Sequence, residues 1–228
     1  MRRRRSGLPG GAIGGTGGEV IGVDISPEAI EVARQRAAMA GLKNVHFLAH
    51  DLNDLTLDAP VDALIGRLVL QYNADPARLL RHLGACVKPG GIVAFQEGFF
   101  KDRTYLEPVC QLYETTIQRV EQTFARIGTD PSIGGKLGWI FQDAGLPAPQ
   151  MILHARVERG PDATVYKFAE QMVRSMLPLM ERTGVATTDE VGLETLVDRL
   201  RAEVVALGAT LEVPGFIGAW TRTPLTAA

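Results

Sequence analysis

The stretch GAIGGTGGEVIGVDISPEAI, residues 11–30, decides how the chain is read. A glycine-rich segment runs into a short apolar run, Glu19–Asp24 (EVIGVD), which ends on an aspartate. A helix start follows at once. Ser26 is an N-cap residue, Pro27 takes the first helical position, and Glu28 and Glu31 stand near the positive end of the helix dipole. Ala29, Ile30, Ala33 and Ala37 recur as the buried stripe of that helix, and Gly41 ends it. Strand, acidic strand end and helix are the parts of a βαβ unit. The glycines, however, stand before the strand rather than after it.

Downstream, strand and helix signals alternate to about residue 97. Val45–Ala49 reads as a second strand, leading into His50 and Asp51, and Ala63–Ile65 as the core of a third. Asp75-Pro76 opens a helix with Leu79, Leu80, Leu83 and Val87 on one face. Lys88-Pro89-Gly90-Gly91 reads as a tight turn before a fourth strand, Ile92–Gln96. This alternation predicts an α/β fold: a doubly wound, mostly parallel sheet. From about 101 to 145 the period is helical. Leu106, Val109, Tyr113, Val120, Phe124 and Ile127 form one face, and Ile133, Leu137, Ile140 and Phe141 a second that Gly145 stops. A strand at Met151–Val157, helices near 163–183 and 188–207, and a closing strand at Phe216–Arg222 complete the pattern. The domain reading is a Gly/Arg-rich leader at 1–18, expected to be disordered, then one domain over 19–228. Helical substrate-side segments are expected at about 101–145 and 161–207.

Composition narrows the function. The chain has 228 residues, 46% of them hydrophobic, enough to bury a sizeable core. A net charge of −2 argues against a general nucleic-acid binder. No apolar run approaches the roughly 20 residues that span a bilayer. Met1-Arg2-Arg3-Arg4-Arg5 is basic, but no apolar segment follows it as in a secretory signal. Cys86 and Cys110 provide neither a disulfide framework nor zinc spacing, and the four histidines are scattered. The expectation is a cytoplasmic protein with no metal site.

Asp24 and Asp51 are the residues that suggest a ligand. In an open α/β sheet, ligands sit outside the carboxyl ends of the strands. A carboxylate at that place accepts hydrogen bonds from vicinal ribose hydroxyls. Asp51, at the next strand end, can accept from an adenine amino group, with the Leu52 N–H donating to a ring nitrogen. The plainer readings are a helix-capping aspartate at 24 and a turn residue at 51. Two acidic ends in adjacent βα units favour adenosine.

With these residues in place, VIGVDISPEAIEVARQRA, NVHFLAHDLNDL, VDALIGRLVLQY and VKPGGIVAFQEG resemble class I S-adenosylmethionine-dependent methyltransferases over residues 19–98. The resemblance implies a Rossmann-like sheet and S-adenosyl-L-methionine as cofactor. It places Asp24 and Ile25 on the ribose, Asp51 and Leu52 around the adenine, and Arg67 and Leu68 beside the methionine moiety. Gln71 and Tyr72 would face the cleft. The expected partner is a small-molecule methyl acceptor, with no nucleic acid and no membrane.

The glycine loop is out of place in this comparison. In the family it follows a first strand and precedes a helix, and such a helix alone needs on the order of ten or more residues. Here Gly17 and Gly18 directly precede Glu19. The first βα unit is therefore read as missing or replaced, and its strand would belong between the strands ending at Asp24 and Ile65. Open edges promote association, so a homo-oligomer is compatible with the sequence. The expectation for this chain is weak cofactor binding and slow transfer. Two other functions remain open: a non-catalytic binding protein, and a nicotinamide-dependent oxidoreductase, which would need a phosphate-binding glycine loop at a helix N-terminus. No catalytic residue is assigned. Glu97 is the best-placed candidate base, with a solvated strand-end acid as the alternative. His154 reads as structural, on a strand alternating with core residues. Phe99, Phe100, Tyr105, Tyr113, Trp139 and Phe141 are candidates for an apolar acceptor pocket or for ordinary core.

Overall fold

The computed structural model describes residues 17–100 and 107–225. The predicted helix residue Leu106, the aromatic Tyr105 and the glycines before Gly17 lie outside the described residues. The chain divides into two compact units at Ala59/Pro60.

The first unit is one parallel strand pair with its crossover helix. Strand β1 (Val20–Asp24) pairs in parallel with β2 (Val45–Ala49), Val20 opposite Val45 and Asp24 opposite Ala49. Helix α1 (Pro27–Met39) joins them. Its cap is as predicted: Ser26 Oγ accepts from the Ala29 N–H at 3.1 Å, with Pro27 next, and Gly41 takes a positive φ of 68° beyond its end. The predicted stripe is only partly buried. Ile30 and Ala37 are buried, Ala33 is half-buried and Ala29 is exposed, because a two-stranded surface covers a narrower strip than a full sheet. The β1 edge away from β2 has no strand partner among the described residues.

The second unit holds a four-stranded sheet in the order β3-β4-β6-β5. Strands β3 (Val61–Arg67) and β4 (Val87–Phe99) are parallel, joined through helix α2 (Pro76–Gly84). Strand β6 (Thr210–Arg222) runs antiparallel to both β4 and β5 (Gln150–Arg159). Helices α3 (Gln111–Arg126) and α4 (Leu137–Asp143) lie between β4 and β5. Helices α5 (Val165–Arg182), α6 (Thr188–Val191) and α7 (Leu196–Leu207) lie between β5 and β6. The α/β class, the Rossmann-like arrangement and the helical segments follow the reading from sequence.

Four local expectations are corrected. The Lys88–Gly91 turn is not a boundary: β4 already begins at Val87, and residues 88–91 bulge from it, with Val87 opposite Val61 and Ile92 opposite Ala63. Gly90 takes φ 75° at the bulge, and its carbonyl accepts from Arg222 at 2.8 Å. Val87 is buried, but on this strand rather than on the preceding helix. Val109 is 50% exposed rather than part of a packed helix face, because α3 starts only at Gln111. His154 does not alternate with core residues: nearly all of β5 is exposed on both faces, Ile152 at 59% and Leu153 at 52%, because β5 packs chiefly against its neighbour β6 with no described helix layered closely over it.

Two cores support the second unit. On one sheet face Val93, Phe95 and Ala219 are buried, as are Leu79, Leu80 and Leu83 of α2 and Leu137, Ile140 and Phe141 of α4. The Phe95 and Phe141 rings meet edge to face at 6.4 Å. The other core joins α3, α5 and α7 with Ala209, Leu211 and Val213. Since Phe99, the last residue of β4, pairs with Gly215, Ala209 just before β6 and Leu211 and Val213 within it run past the carboxyl end of β4. The helical core therefore stands beyond the carboxyl ends of the parallel strands of its own unit, the side on which ligands bind in such sheets.

Candidate functional site

In the first unit the parallel register brings Asp24 and Asp51 to the same end of the strand pair. Asp24 faces Ala49, and its carbonyl accepts from the His50 N–H at 3.0 Å, one residue before Asp51. Both aspartates are exposed. Asp24 Oδ1 accepts from the Ser26 N–H at 2.9 Å, which fixes the carboxylate at the turn into α1. Asp24 Oδ2 has no hydrogen-bond partner among the described residues. Asp51 caps a short 3₁₀ turn, Leu52–Asp54, its Oδ1 accepting from the Asn53 N–H at 2.8 Å and from Asn53 Nδ2 at 3.0 Å. The backbone bond, and then the side-chain bond, hold its carboxyl below the ordinary carboxylate value. Each carboxylate thus serves its own turn with one oxygen: Asp24 is not the helix cap, which is Ser26, but accepts from the cap residue's N–H, and Asp51 is the turn residue that the plainer reading made it. Ile25 is 70% exposed beside Asp24, and Leu52 is half-buried.

In the second unit Arg67 and Leu68 stand at the carboxyl end of β3. Arg67 Nε donates to Gln96 Oε1 at 2.9 Å, and its guanidinium lies 5.1 Å from the Phe216 ring centre, which ties it to the sheet surface. Leu68 has φ 55°, in the left-handed region that a leucine rarely occupies. Its N–H donates to the Gln96 carbonyl at 2.9 Å. The chain then turns through a 3₁₀ segment, Leu70–Tyr72, in which Gln71 is buried and Tyr72 is 60% exposed.

Glu97 overturns the solvated-acid reading. It is fully buried, and its Oε1 accepts from the N–H groups of both Val69 and Leu70 at 2.9 Å. Its Oε2 is buried with no partner among the described residues. Burial pushes the carboxyl above its ordinary value, against the backbone bonds that lower it. The sequence carried a signal for this burial. Glu97 is in phase with Val93 and Phe95 on the core face of β4, not with Ile92, Ala94 and Gln96.

A loop closes over this strand end. A Cβ on Gly134 would meet the Gly98 carbonyl at 2.7 Å and the Glu97 carbonyl at 2.9 Å, so only glycine allows this approach. Ser132 Oγ donates to the Phe100 carbonyl at 2.5 Å, and Asp130 Oδ1 accepts from the Ser132 N–H at 2.8 Å.

The pH dependence follows from the sign of the Glu97 shift. Between the ordinary value of 4.5 and the raised folded value, the folded chain keeps a proton that the unfolded chain releases. The Glu97 contribution is therefore most favourable below that window and falls as pH rises through it. Glu97→Gln removes this loss. The expected result is a melting-temperature difference, variant minus wild type, that grows from pH 4.5 toward neutrality. A difference flat across that range would show that Glu97 is not held protonated.

Of the aromatic candidates, Tyr113 and Phe141 are core, the Tyr113 hydroxyl donating to the Glu212 carbonyl at 2.5 Å. Phe99 and Phe100 are half-buried, and Trp139 is 78% exposed. Among the described residues no cluster of three His, Cys, Asp or Glu side chains is arranged to hold a metal ion. No helix among them is long and apolar enough to cross a membrane.

Comparison with known proteins bears on this geometry. A family described as a methyltransferase domain matches residues 12–145, more than half of the chain. An uncharacterized 37.1 kDa protein in transposon Tn4556 of Streptomyces fradiae is 31% identical over 147 residues, 64% of this chain and 41% of that protein. Trans-aconitate 2-methyltransferase of Azoarcus sp. strain BH72 is 36% identical over 97 residues, 42% of this chain and 35% of the relative. The chain thus spans well under half the length of these curated relatives. Among solved structures, the YcgJ protein of Bacillus subtilis superposes with a TM-score of 0.55 over 92% of this chain and 83% of its own, at 17% identity, a likeness of fold.

Proposed function

Because the chain belongs to the methyltransferase-domain family, we propose that it binds S-adenosylmethionine and directs its methyl group to a small-molecule acceptor. The observation that carries the proposal is the pair of acidic strand ends, Asp24 and Asp51, side by side on one parallel pair within the family match. When bound, the sulfonium supplies an activated methyl carbon that passes in line to a nucleophile, the C–S electrons remaining on sulfur. The chain's own work is to orient and to exclude water.

Asp24, with Oδ1 fixed by Ser26, turns Oδ2 to the ribose hydroxyls, with Ile25 covering them. Asp51 accepts from the adenine amino group, and the Leu52 N–H donates to the ring. Arg67 and Leu68 are carried by family resemblance as the methionine-side residues. The helices at 111–143 and 165–207 serve the acceptor, which their position beyond the carboxyl end of β4 supports. A small acceptor agrees with a relative named for trans-aconitate. A protein of this composition and family is expected in the cytoplasm.

A second reading, binding with little turnover, is favoured by the β1 edge that lacks a strand partner among the described residues. Calorimetric titration of the 228-residue chain with S-adenosylhomocysteine, beside transfer of labelled methyl from S-adenosylmethionine to a panel of small carboxylates and phenols, tests both. Binding with turnover supports the proposal, and binding without turnover on any acceptor supports the second reading. NADH binding with no response to S-adenosylhomocysteine would overturn both and restore the oxidoreductase.

A further inference from the structure

We propose that Glu97 is a positioning residue whose carboxyl Oε1, through the Val69 and Leu70 N–H groups, holds Leu68 in its left-handed turn and so sets the backbone on the methionine side of the cofactor. The proposal rests on the functional reading above for its cofactor, but not for its geometry.

Four observations converge on it. Glu97 is fully buried, which is rare for a glutamate with no cation as partner. One of its oxygens receives both consecutive N–H groups at 2.9 Å, so a single acceptor fixes two peptide planes directly after Leu68. Leu68 is the one non-glycine residue among those described with positive φ, a conformation that a leucine keeps only when its surroundings impose it. Its own N–H is tied to the Gln96 carbonyl, so two adjacent residues of β4, Gln96 and Glu97, grip both sides of the turn.

The enclosure explains why an acid serves here. The Glu97 side chain has no exposed surface and its Oε2 is buried as well, so water does not stand in for its carboxyl as acceptor. The N–H of the buried Leu70 and that of the half-buried Val69 would otherwise lose this partner. A general base, by contrast, must reach the proton it abstracts. A carboxyl group with no exposed surface and one oxygen occupied by two backbone donors does not meet that requirement, so Glu97 acts through Leu68 and its neighbours rather than on the acceptor.

The experiment is a double-mutant cycle between positions 97 and 68, read by amide hydrogen exchange and by S-adenosylhomocysteine titration. Glu97→Gln keeps the Oε1 acceptor and is expected to retain both the protection of the Val69 and Leu70 amides and the affinity. Glu97→Leu fills the space but accepts nothing. It is expected to lose protection at these two amides by tenfold or more and affinity by on the order of tenfold. Leu68→Gly removes the penalty at φ 55°, so adding it to Glu97→Leu is expected to recover most of the affinity, whereas a purely packing role for Glu97 predicts additive losses. Unchanged exchange at residues 69 and 70 in Glu97→Leu, or a Glu97→Gln variant that behaves like Glu97→Leu, overturns the proposal. If wild type does not bind S-adenosylhomocysteine, the cofactor reading fails on its own, and exchange at the two amides still decides the positioning claim.

Discussion

Asp24→Ala is expected to weaken S-adenosylhomocysteine binding by about 1.5–3 kcal/mol, on the order of 10- to 150-fold, the cost of losing a charged hydrogen-bond acceptor. The carboxylate is exposed, so the loss cannot come from a collapsed core. Its Oδ1 bond to the Ser26 N–H means that alanine also loosens the turn into α1. Asp24→Asn separates the two effects, since it keeps a neutral acceptor for Ser26 but loses the charge toward the ribose. Its affinity is expected between those of wild type and the alanine variant, with unchanged circular dichroism. Equal calorimetric affinity for wild type and Asp24→Ala would remove Asp24 from the site.

The second large effect is on stability. A Cβ on Gly66 would lie 2.2 Å from Phe95 Cε1 and 2.5 Å from Cδ1, and the Phe95 ring is buried against Phe141. Phe95 is 3% exposed and Phe141 fully buried, so the clash is taken up within packed core. Gly66→Ala is expected to cost about 3 kcal/mol, the upper end of the usual range for overpacking. Phe95→Leu opens space at the same point at its own cost, so the double variant is expected to lose less than the two single losses combined. Urea unfolding of the three variants reads this directly. Additive losses would show that Gly66 and Phe95 do not share the space.

The parts of the fold that were legible in the sequence are those encoded locally. Strand β1, its Asp24 end, the Ser26-Pro27 cap and the glycine at 41 lie within a few residues of one another, and each carries its own signal. Strand β2 and the Asp51 turn are similar. What was not legible depends on distant chain. The extent of β4 was understated because Lys88-Pro89-Gly90-Gly91 has turn chemistry, while Arg222 and Thr223, more than 130 residues later, hold it in the strand as a bulge. Glu97 has the composition of a surface acid. Only its phase with Val93 and Phe95 showed otherwise, and its burial depends on what packs over that face of β4. His154 failed in the opposite direction. Alternating apolar residues suggested a buried strand, but β5 packs chiefly against β6 with no described helix layered closely over it, and such cover is a property of topology rather than of the strand. The left-handed Leu68 had no signal at all, since nothing in a leucine announces it.

Strand β5 also has the features of an edge that invites further strand pairing. Its outer ladder of N–H and C=O groups faces away from β6, and Met151, Ile152, Leu153 and Val157 give that ladder an exposed apolar flank. This is the composition from which cross-β growth starts. His154, Arg156, Glu158 and Arg159 interrupt and close the run QMILHARVER, so that stacking another such segment onto it brings like charges into register. The same four polar residues that make the strand look unremarkable in the sequence have the place of gatekeepers, and exchanging them for apolar ones is expected to raise the tendency to form fibrils, read by thioflavin fluorescence.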